Sequence, residues 1–197
     1  MKVLGISAAA TSNSRSELLL SSLLDEFSKS ECDVEKFFIR DLKISFCSGF
    51  RCCEKTGKCK ISDDMQIIEK AILSSDIVVV AAPIYFTSVP AKLKAVVDRC
   101  QLYWARKNIS RLTCLPSGTA VGQVGTFSPA LKKGFFISVA GRAPDFIHAG
   151  TIIKAFFSVF NIKFCGKFYL PNTDKLDSEQ FAKALEDVKK LNKGVAK

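Results

Sequence analysis

Hydrophobic residues alternate between two periodicities along most of this chain. Residues 2–6 and 76–81 are short, nearly continuous apolar runs, as in the buried strands of a parallel sheet. Residues 16–27 instead repeat leucine at intervals of three and four, as in an amphipathic helix. The pattern predicts ten elements, alternately strand and helix, at residues 2–6, 16–27, 33–39, 65–73, 76–81, 91–103, 134–139, 148–160, 162–170 and 178–191.

Five strands alternating with five helices favour a mostly parallel sheet covered on both faces. Because crossovers between parallel strands are right-handed, the simplest arrangement is a doubly wound, three-layer α/β/α sandwich. A length of 197 residues suits a single domain, which we predict over residues 1–197. Residues 108–130 are weakly patterned, and we expect an irregular insertion there.

The composition is that of a globular chain, 48% hydrophobic and 24% charged. The longest apolar run, residues 77–86, is too short to span a bilayer and contains Pro83. The first residues lead directly into a strand, without the apolar core of a signal peptide. We therefore expect a cytoplasmic protein without membrane contact, in a compartment where disulfides are rare.

The net charge of +10 is unevenly distributed. Between Arg99 and Thr173 the only acidic residue is Asp145. The basic residues of that region are Arg99, Arg106, Lys107, Arg111, Lys132, Lys133, Arg142, Lys154, Lys163 and Lys167. They form either a solvated face or a surface for an anionic partner. Nucleic acid is not favoured as that partner, because the sequence has no zinc-finger spacing, RNA-binding aromatic signature or long basic arm.

Half of the eight cysteines lie in one short segment, CSGFRCCEKTGKC, at residues 47–59. Three interpretations are open: a metal or iron–sulfur site, disulfide bonds, or chance. Clustered cysteines in the cytoplasm more often bind metal or carry redox chemistry than form disulfides. The spacing suits no common zinc finger. The remaining cysteines are predicted to be packed thiols: Cys32, Cys100, Cys114 and Cys165.

Ligands of doubly wound sheets bind at the carboxyl ends of the strands, where the strand order reverses. Three loops follow strands there. Residues 7–16 offer hydroxyls, an amide and a cation before a helix N-terminus, which favours a phosphate, but no GK[ST] triphosphate motif is present. Residues 82–90 carry Tyr85 and Phe86, which either stack on a flat ring or pack under the next helix. Residues 140–147 supply Gly141 and Arg142.

Three stretches carry a family resemblance: MKVLGIS…NSRSELL, GKCKISDDM and DIVVVAAPIYFTSVPAKLKAVVDR. They are similar to the NADPH-dependent FMN reductase superfamily, which implies a flavodoxin-like fold with a five-stranded parallel sheet. Within it, the four-cysteine loop resembles that of the iron–sulfur flavoproteins, homo-oligomers that carry FMN and a [4Fe–4S] cluster. The similarity covers residues 1–103 well and 134–170 more loosely. It implies a homodimer or homotetramer.

The resemblance implies that residues 7–16 hold the FMN phosphate and that residues 83–88 and 140–142 border the isoalloxazine. The implied FMN contacts are Ser7, Ala9, Asn13, Ser14, Arg15, Ser16, Pro83, Ile84, Tyr85, Phe86, Thr87, Ser88, Ala140, Gly141 and Arg142. The implied cluster ligands are Cys47, Cys52, Cys53 and Cys59. No residue is predicted to be catalytic, and the sole histidine, His148, is expected to cap or pack a helix.

Two departures from the family patterns stand out. The phosphate loop usually reads Gly-Ser-Pro-Arg, where this chain has Ala-Ala-Ala-Thr at residues 8–11, and Arg15 could replace the lost charge. The cluster pattern C-x2-C-x2-C-x5-C has Phe50 at its second position, and Cys52 is the natural substitute. FMN binding is therefore expected to be weakened or rearranged rather than lost.

These observations lead to three hypotheses of function. The first is an FMN-dependent oxidoreductase that passes electrons between a [4Fe–4S] cluster, FMN and a small-molecule acceptor, with an acidic ferredoxin as a donor suited to the basic face. The second is a cluster-free NAD(P)H-dependent FMN or quinone reductase. The third is a flavodoxin-like binding scaffold without FMN, which only the departure at residues 8–11 supports.

Overall fold

The computed structural model of the chain describes residues 1–108, 131–142 and 145–194. The insertion predicted at 108–130 therefore lies, beyond its first residue, outside the described residues, and so does Cys114. Five strands pair in parallel in the spatial order β2-β1-β3-β4-β5. Their bounds are β1 Lys2–Ser7, β2 Asp33–Phe38, β3 Ile77–Pro83, β4 Lys132–Val139 and β5 Ile162–Leu170.

Helices connect consecutive strands in every described crossover. Their bounds are α1 Arg15–Lys29, α2 Cys52–Thr56, α3 Met65–Ser74, α4 Ala91–Arg99, α5 Gln101–Asn108, α6 Ile147–Val159 and α7 Ser178–Lys189. Short 3₁₀ turns lie at Ile39–Asp41, Thr173–Lys175 and Lys190–Gly194. The arrangement confirms the predicted doubly wound, flavodoxin-like sheet.

Two hydrophobic cores lie on opposite faces of the sheet. Alternate residues of β3 supply them: Val78 and Val80 belong to one core, and Ile77 and Val79 to the other. Helices α3 to α6 cover the first face, with α6 contributing a group of phenylalanines, while α1 and α7 cover the second. Because β3 is buried on both faces, its sequence is continuously apolar rather than alternating.

The structure corrects the single helix predicted at 91–103. The chain forms two helices, α4 and α5, with a turn at Cys100, whose backbone N–H donates to the Val97 carbonyl at 3.1 Å. This i to i+3 bond tightens the end of α4. In α5, Tyr103 packs against Phe160 at the end of α6, with ring centroids 4.5 Å apart. Tertiary packing therefore decides the break.

The predicted basic face is smaller than the sequence indicates. Arg99 and Lys132 are both buried, at 3% and 5% exposure, and bond to groups of the protein interior. Of the remaining described basic residues in that region, Lys163 and Lys167 are exposed on the edge strand β5. Charged side chains on an edge strand also hinder pairing with other chains. Among the described residues, no helix is long and apolar enough to cross a membrane.

Candidate functional site

The carboxyl ends of the central strands bring the three predicted loops together. The Ala8 N–H donates to the carbonyl of Ala81 in β3 at 2.8 Å, and the Ile84 N–H donates to that of Val139 in β4, also at 2.8 Å. The Ala140 N–H donates to the carbonyl of Leu170 at the end of β5, at 3.0 Å. The first residue of each loop is therefore hydrogen-bonded to the neighbouring strand. The loops lie at the carboxyl edge of the sheet, where the strand order reverses between β1 and β3.

The loop between β1 and α1 ends in a capped helix N-terminus. Ser14 is the N-cap, and its hydroxyl accepts a hydrogen bond from the Glu17 N–H at 3.4 Å. The Ser16 hydroxyl lies 3.3 Å from that of Ser14, while Asn13 adopts a left-handed conformation with φ of 55°. Ser7 is fully buried, and its hydroxyl has no hydrogen-bond partner among the described residues. An unpartnered buried hydroxyl is unusual and is consistent with a ligand-binding loop.

Two arginines border this loop, and neither is free of partners. Arg15 donates to the carbonyls of Thr173 and Leu176, so its charge is held against the C-terminal segment. Its assignment to a phosphate stays a prediction. Arg40, which the sequence patterns did not single out, follows β2, donates to the Thr11 carbonyl at 3.4 Å and pairs with the Glu17 carboxylate.

The loop after β3 forms a tight aromatic turn. The Tyr85 and Ser88 backbones exchange two hydrogen bonds of 3.0 Å, which leaves Phe86 and Thr87 at the tip. Both tip residues have positive φ, 48° and 63°, a conformation that favours glycine and is strained for a β-branched side chain. Phe86 is fully exposed, and Tyr85 is half exposed. A strained turn with an exposed aromatic ring at a sheet switch point indicates a binding function.

The loop after β4 borders a pocket of about 460 Å³ at the same edge. Its lining residues are Gly141, Arg142, Asn172, Asp174 and Lys175. A Cβ atom on Gly141 would lie 2.6 Å from the Asp174 carboxylate, so any larger residue there would require that side chain to move. Arg142, predicted to contact the flavin, is exposed and lines this pocket.

The cysteine segment, residues 47–59, is a folded loop with its own short helix. Arg51 and Gly57 flank α2, both with left-handed conformations at φ of 55° and 66°. The Gly57 N–H donates to the Cys53 carbonyl at 3.0 Å and ends the helix. The Thr56 hydroxyl donates to the Cys52 carbonyl at 2.9 Å. Turning the backbone in this way places the two adjacent cysteines in the first turn of α2.

All four predicted cluster ligands line one pocket of about 200 Å³: Cys47, Cys52, Cys53 and Cys59. Partial burial raises the pKa of the Cys53 thiol, and the neighbouring Cys52, Cys59 and Cys47 raise it further, while a backbone hydrogen bond lowers it. Among the described residues, no three or more His, Cys, Asp or Glu side chains are arranged to hold a single metal ion.

Phe50, at the position where the family pattern has a cysteine, also lines this pocket. Its ring is 68% exposed, and the Lys60 ammonium lies 4.5 Å from the ring centroid. At the second position of the pattern, Phe50 thus supplies an apolar side chain in place of a sulfur, with Lys60 beside it. Cys52 from α2 is the additional cysteine that lines the pocket.

The family model for NADPH-dependent FMN reductases matches residues 1–133. The chain belongs to the NADPH-dependent FMN reductase family. The match includes both the loop between β1 and α1 and the aromatic turn after β3, the two parts of the carboxyl edge nearest the point of strand reversal. The chain is therefore a member of a family of flavin-dependent oxidoreductases.

Sequence relatives of this FMN reductase family member include iron–sulfur flavoproteins of archaea. One from Archaeoglobus fulgidus is 32% identical over 109 residues, which are 55% of this chain and 50% of that protein. Another, from Methanocaldococcus jannaschii, is 32% identical over 99 residues, 50% of this chain and 51% of that protein. The chain spans about half the length of these curated relatives.

A solved structure supports the fold. An NAD(P)H:quinone oxidoreductase from Methanothermobacter marburgensis superposes with a TM-score of 0.71, covering 100% of this chain and 98% of that one. The two sequences are 15% identical, so the likeness concerns the fold alone.

Of the described cysteines outside the loop, Cys100 and Cys32 pack against the two hydrophobic cores as expected, and Cys165 does not. Cys100 is buried, and its thiol donates to the Val96 carbonyl at 3.2 Å. Cys165, in contrast, is exposed on β5, and Cys32 is partly exposed. All the cysteines of the described residues are free thiols. His148 is exposed as well, with Nε2 3.8 Å from the Asp145 carboxylate, so it does not pack as expected.

Besides Arg40, the sequence patterns did not single out Arg99 as a residue of the site. It continues the helical series of buried Leu93 and Val96 on the apolar face of α4. A charged residue on such a face indicates a buried ion pair, and that signal was available in the sequence. Its partner is Asp63, whose carboxylate lies 2.8 Å from the guanidinium. Asp63 also accepts a hydrogen bond from the Met65 N–H at the start of α3, at 3.2 Å.

Proposed function

We propose that this chain is an FMN-dependent oxidoreductase that holds a [4Fe–4S] cluster in the loop of residues 47–59. The observation that carries the proposal is the gathering of four thiols around one pocket in a member of a flavin-binding family. The iron–sulfur flavoproteins among its sequence relatives support the same combination. FMN supplies one- and two-electron transfer when bound, and a cluster supplies one-electron transfer.

The residues at the carboxyl edge fit FMN. The capped N-terminus of α1 suits a phosphate, with hydroxyls at Ser14 and Ser16 and the unpartnered hydroxyl of Ser7 nearby. The strained aromatic turn suits contact with the flavin ring through Tyr85 and Phe86. The full proposed contact set is that of the family resemblance: residues 7, 9, 13–16, 83–88 and 140–142.

The loop of residues 47–59 fits a cluster better than a single ion. A tetrahedral zinc site with Zn–S bonds of about 2.3 Å would draw its sulfurs to about 3.8 Å from one another. The described cysteines form no such group, although all four share one pocket. A [4Fe–4S] cluster is larger and takes its thiolates around a wider space.

Several finer points belong to the same proposal. The chain would act as a single FMN-binding domain in a cytoplasmic homodimer or homotetramer. The exposed ring of Phe86 at the carboxyl edge supports burial against another copy or a ligand. The acceptor would be a small molecule, and the electrons would come from NAD(P)H or from an acidic ferredoxin.

Anaerobic purification followed by assay of iron, acid-labile sulfide, zinc and flavin tests the proposal. We expect about four iron, four sulfide and one FMN per chain. The variant Cys52→Ala should lose most of the iron but keep FMN, because Cys52 replaces the sulfur that Phe50 lacks. Cys165→Ala is the matched control, since Cys165 is an exposed thiol outside the pocket, and it should keep both cofactors.

Other results would favour the alternatives. FMN without iron, together with steady oxidation of NAD(P)H by a quinone, would support a cluster-free reductase with a reactive thiol loop. One zinc per chain in place of iron would make the loop a structural metal site. A colourless protein that takes up no FMN on incubation would support a binding scaffold.

A further inference from the structure

The cysteine loop is closed at its base by one buried cation. Arg99 is the last residue of α4, and its side chain is 1% exposed. The helix begins at Ala91, directly after the aromatic turn, so it links the proposed flavin contacts at one end to the cysteine loop at the other. A buried guanidinium requires partners for its charge and its donors, and those partners lie at the two ends of the loop.

Arg99 joins the segments that enter and leave the cysteine loop. Nη1 donates to the Ser45 carbonyl at 3.1 Å, and Nη2 donates to the Ile61 carbonyl at 3.3 Å. Ser45 precedes Cys47 by two residues, and Ile61 follows Cys59 by two. One planar guanidinium thus spans both ends of the loop.

Asp63 completes the network as a bidentate partner. Its carboxylate oxygens lie 2.8 and 3.2 Å from the two Nη atoms of Arg99. The same carboxylate accepts from the Ser45 N–H at 2.8 Å. Paired donors in this geometry are among the stronger polar interactions in proteins, especially when both partners are buried. The ends of the loop are therefore fixed relative to α4.

The remaining donor of Arg99 is Nε. Nε is buried and unbonded among the described residues, which is uncommon for a charged donor. Burial lowers the pKa of Arg99, but interactions with Asp63 and Cys59 raise it overall. The Ile61 carbonyl that Nη2 contacts follows Cys59 by two residues, which places the guanidinium beside the last cysteine of the loop.

We propose that Arg99 is a positioning residue for the cluster site, which fixes both ends of the cysteine loop and raises the reduction potential of the group bound beside Cys59. This inference rests on the proposed function. A fixed positive charge stabilises the more negative, reduced form of a cluster, and charge and hydrogen bonding at the sulfurs are recognised determinants of cluster potential.

Two variants with opposite effects on charge separate this role from a merely structural one. Arg99→Gln removes the positive charge, and Asp63→Asn removes the negative charge, while both weaken the same network. In the anaerobically purified holoprotein, a redox titration followed by electron paramagnetic resonance measures the potential. We expect Arg99→Gln to lower it and Asp63→Asn to raise it, each changing the redox equilibrium by about tenfold, or about 59 mV for one electron. Equal shifts of the same sign, or no shift, would overturn the charge role.

The matched control is Lys94→Gln. Lys94 lies on the same helix and forms an exposed pair with Asp98, so its removal changes the net charge by the same amount. Screening by solvent should leave the potential unchanged in this variant. A shift as large as that of Arg99→Gln would mean that net charge alone is being measured, and would contradict the proposal.

Hydrogen exchange followed by mass spectrometry tests the positioning role without reference to the cluster. We expect faster exchange across residues 46–60 in Arg99→Gln than in the wild type, with Arg99→Lys intermediate and Lys94→Gln unchanged. Unchanged exchange in Arg99→Gln would overturn the positioning role. Absence of iron from the wild type would instead overturn the proposed function and, with it, the effect of Arg99 on the reduction potential. The hydrogen-exchange comparison would still test whether Arg99 fixes the two ends of the cysteine loop.

Discussion

At the scale of single residues, buried charge is the main departure from an ordinary apolar interior. Lys132 begins β4 and is 5% exposed, yet its ammonium donates to the carbonyls of Ile72, Leu73 and Ser75 at 2.9, 2.6 and 2.8 Å. The last four carbonyls of a helix, about one turn, have no intrahelical partners. Lys132 satisfies those at the end of α3, and its charge suits the negative end of the helix.

Replacing this lysine should therefore destabilise the protein. We expect Lys132→Met to lower the free energy of unfolding by about 2–3 kcal/mol, because three carbonyls lose a charged donor without access to water. Urea denaturation monitored by circular dichroism measures the change. Lys163→Met on the exposed face of β5 is the control and should stay within about 0.5 kcal/mol of the wild type. A similarly small effect at Lys132 would mean that water replaces the ammonium.

At the scale of elements, the turn between β3 and α4 is built against local preference. Two-residue turns with both φ values positive normally use Asn-Gly, yet this one has Phe86 and Thr87. The surrounding hydrogen bonds, Tyr85 to Ser88 and Ile84 to Val139, hold the conformation in place. Strain retained at a sheet switch point indicates that the identity of the tip residues matters more for binding than for stability.

Relieving the strain should stabilise the fold. We expect Thr87→Gly to raise the free energy of unfolding by about 1 kcal/mol, because glycine adopts positive φ without steric cost. Ser88→Gly is the control in the same turn, where φ is not positive, and should lower stability by about 0.5–1 kcal/mol. Thermal unfolding of the three proteins measures both changes. Destabilisation by Thr87→Gly would show that the threonine side chain contributes contacts that outweigh the strain.

At the scale of the whole molecule, the net charge of +10 sets the long-range interactions. Within the basic region of residues 99–173, Arg99 and Lys132 are buried and do not contribute to the surface charge. The exposed basic residues there include Arg142, Lys154, Lys163 and Lys167. The remaining excess of positive surface charge still favours the approach of an acidic protein, because the summed surface charge accelerates association with partners of opposite sign.

The proposed electron transfer from an acidic ferredoxin should therefore depend on ionic strength. We expect the second-order rate to fall by about tenfold between roughly 0.05 and 0.5 M salt, as screening shortens the range of attraction. Stopped-flow absorbance of the flavin band measures the rate. Reduction by a small uncharged reductant is the control and should change little. A ferredoxin rate that salt does not alter would exclude docking through the basic surface.

Periodicity in the sequence was enough to predict the five strands, most of the helices and their order, because it records which side of each element is buried. The four cysteines that share a pocket were predictable because they lie within thirteen residues, and the three loops at the carboxyl edge because parallel strands end at the same edge of a sheet. Only the tertiary structure decided that helix 91–103 breaks at Cys100, where packing of Tyr103 on Phe160 outweighs helical continuity. It also decided that Arg99 closes the cysteine loop, because its partners Ser45, Ile61 and Asp63 are distant in sequence and meet only in the fold.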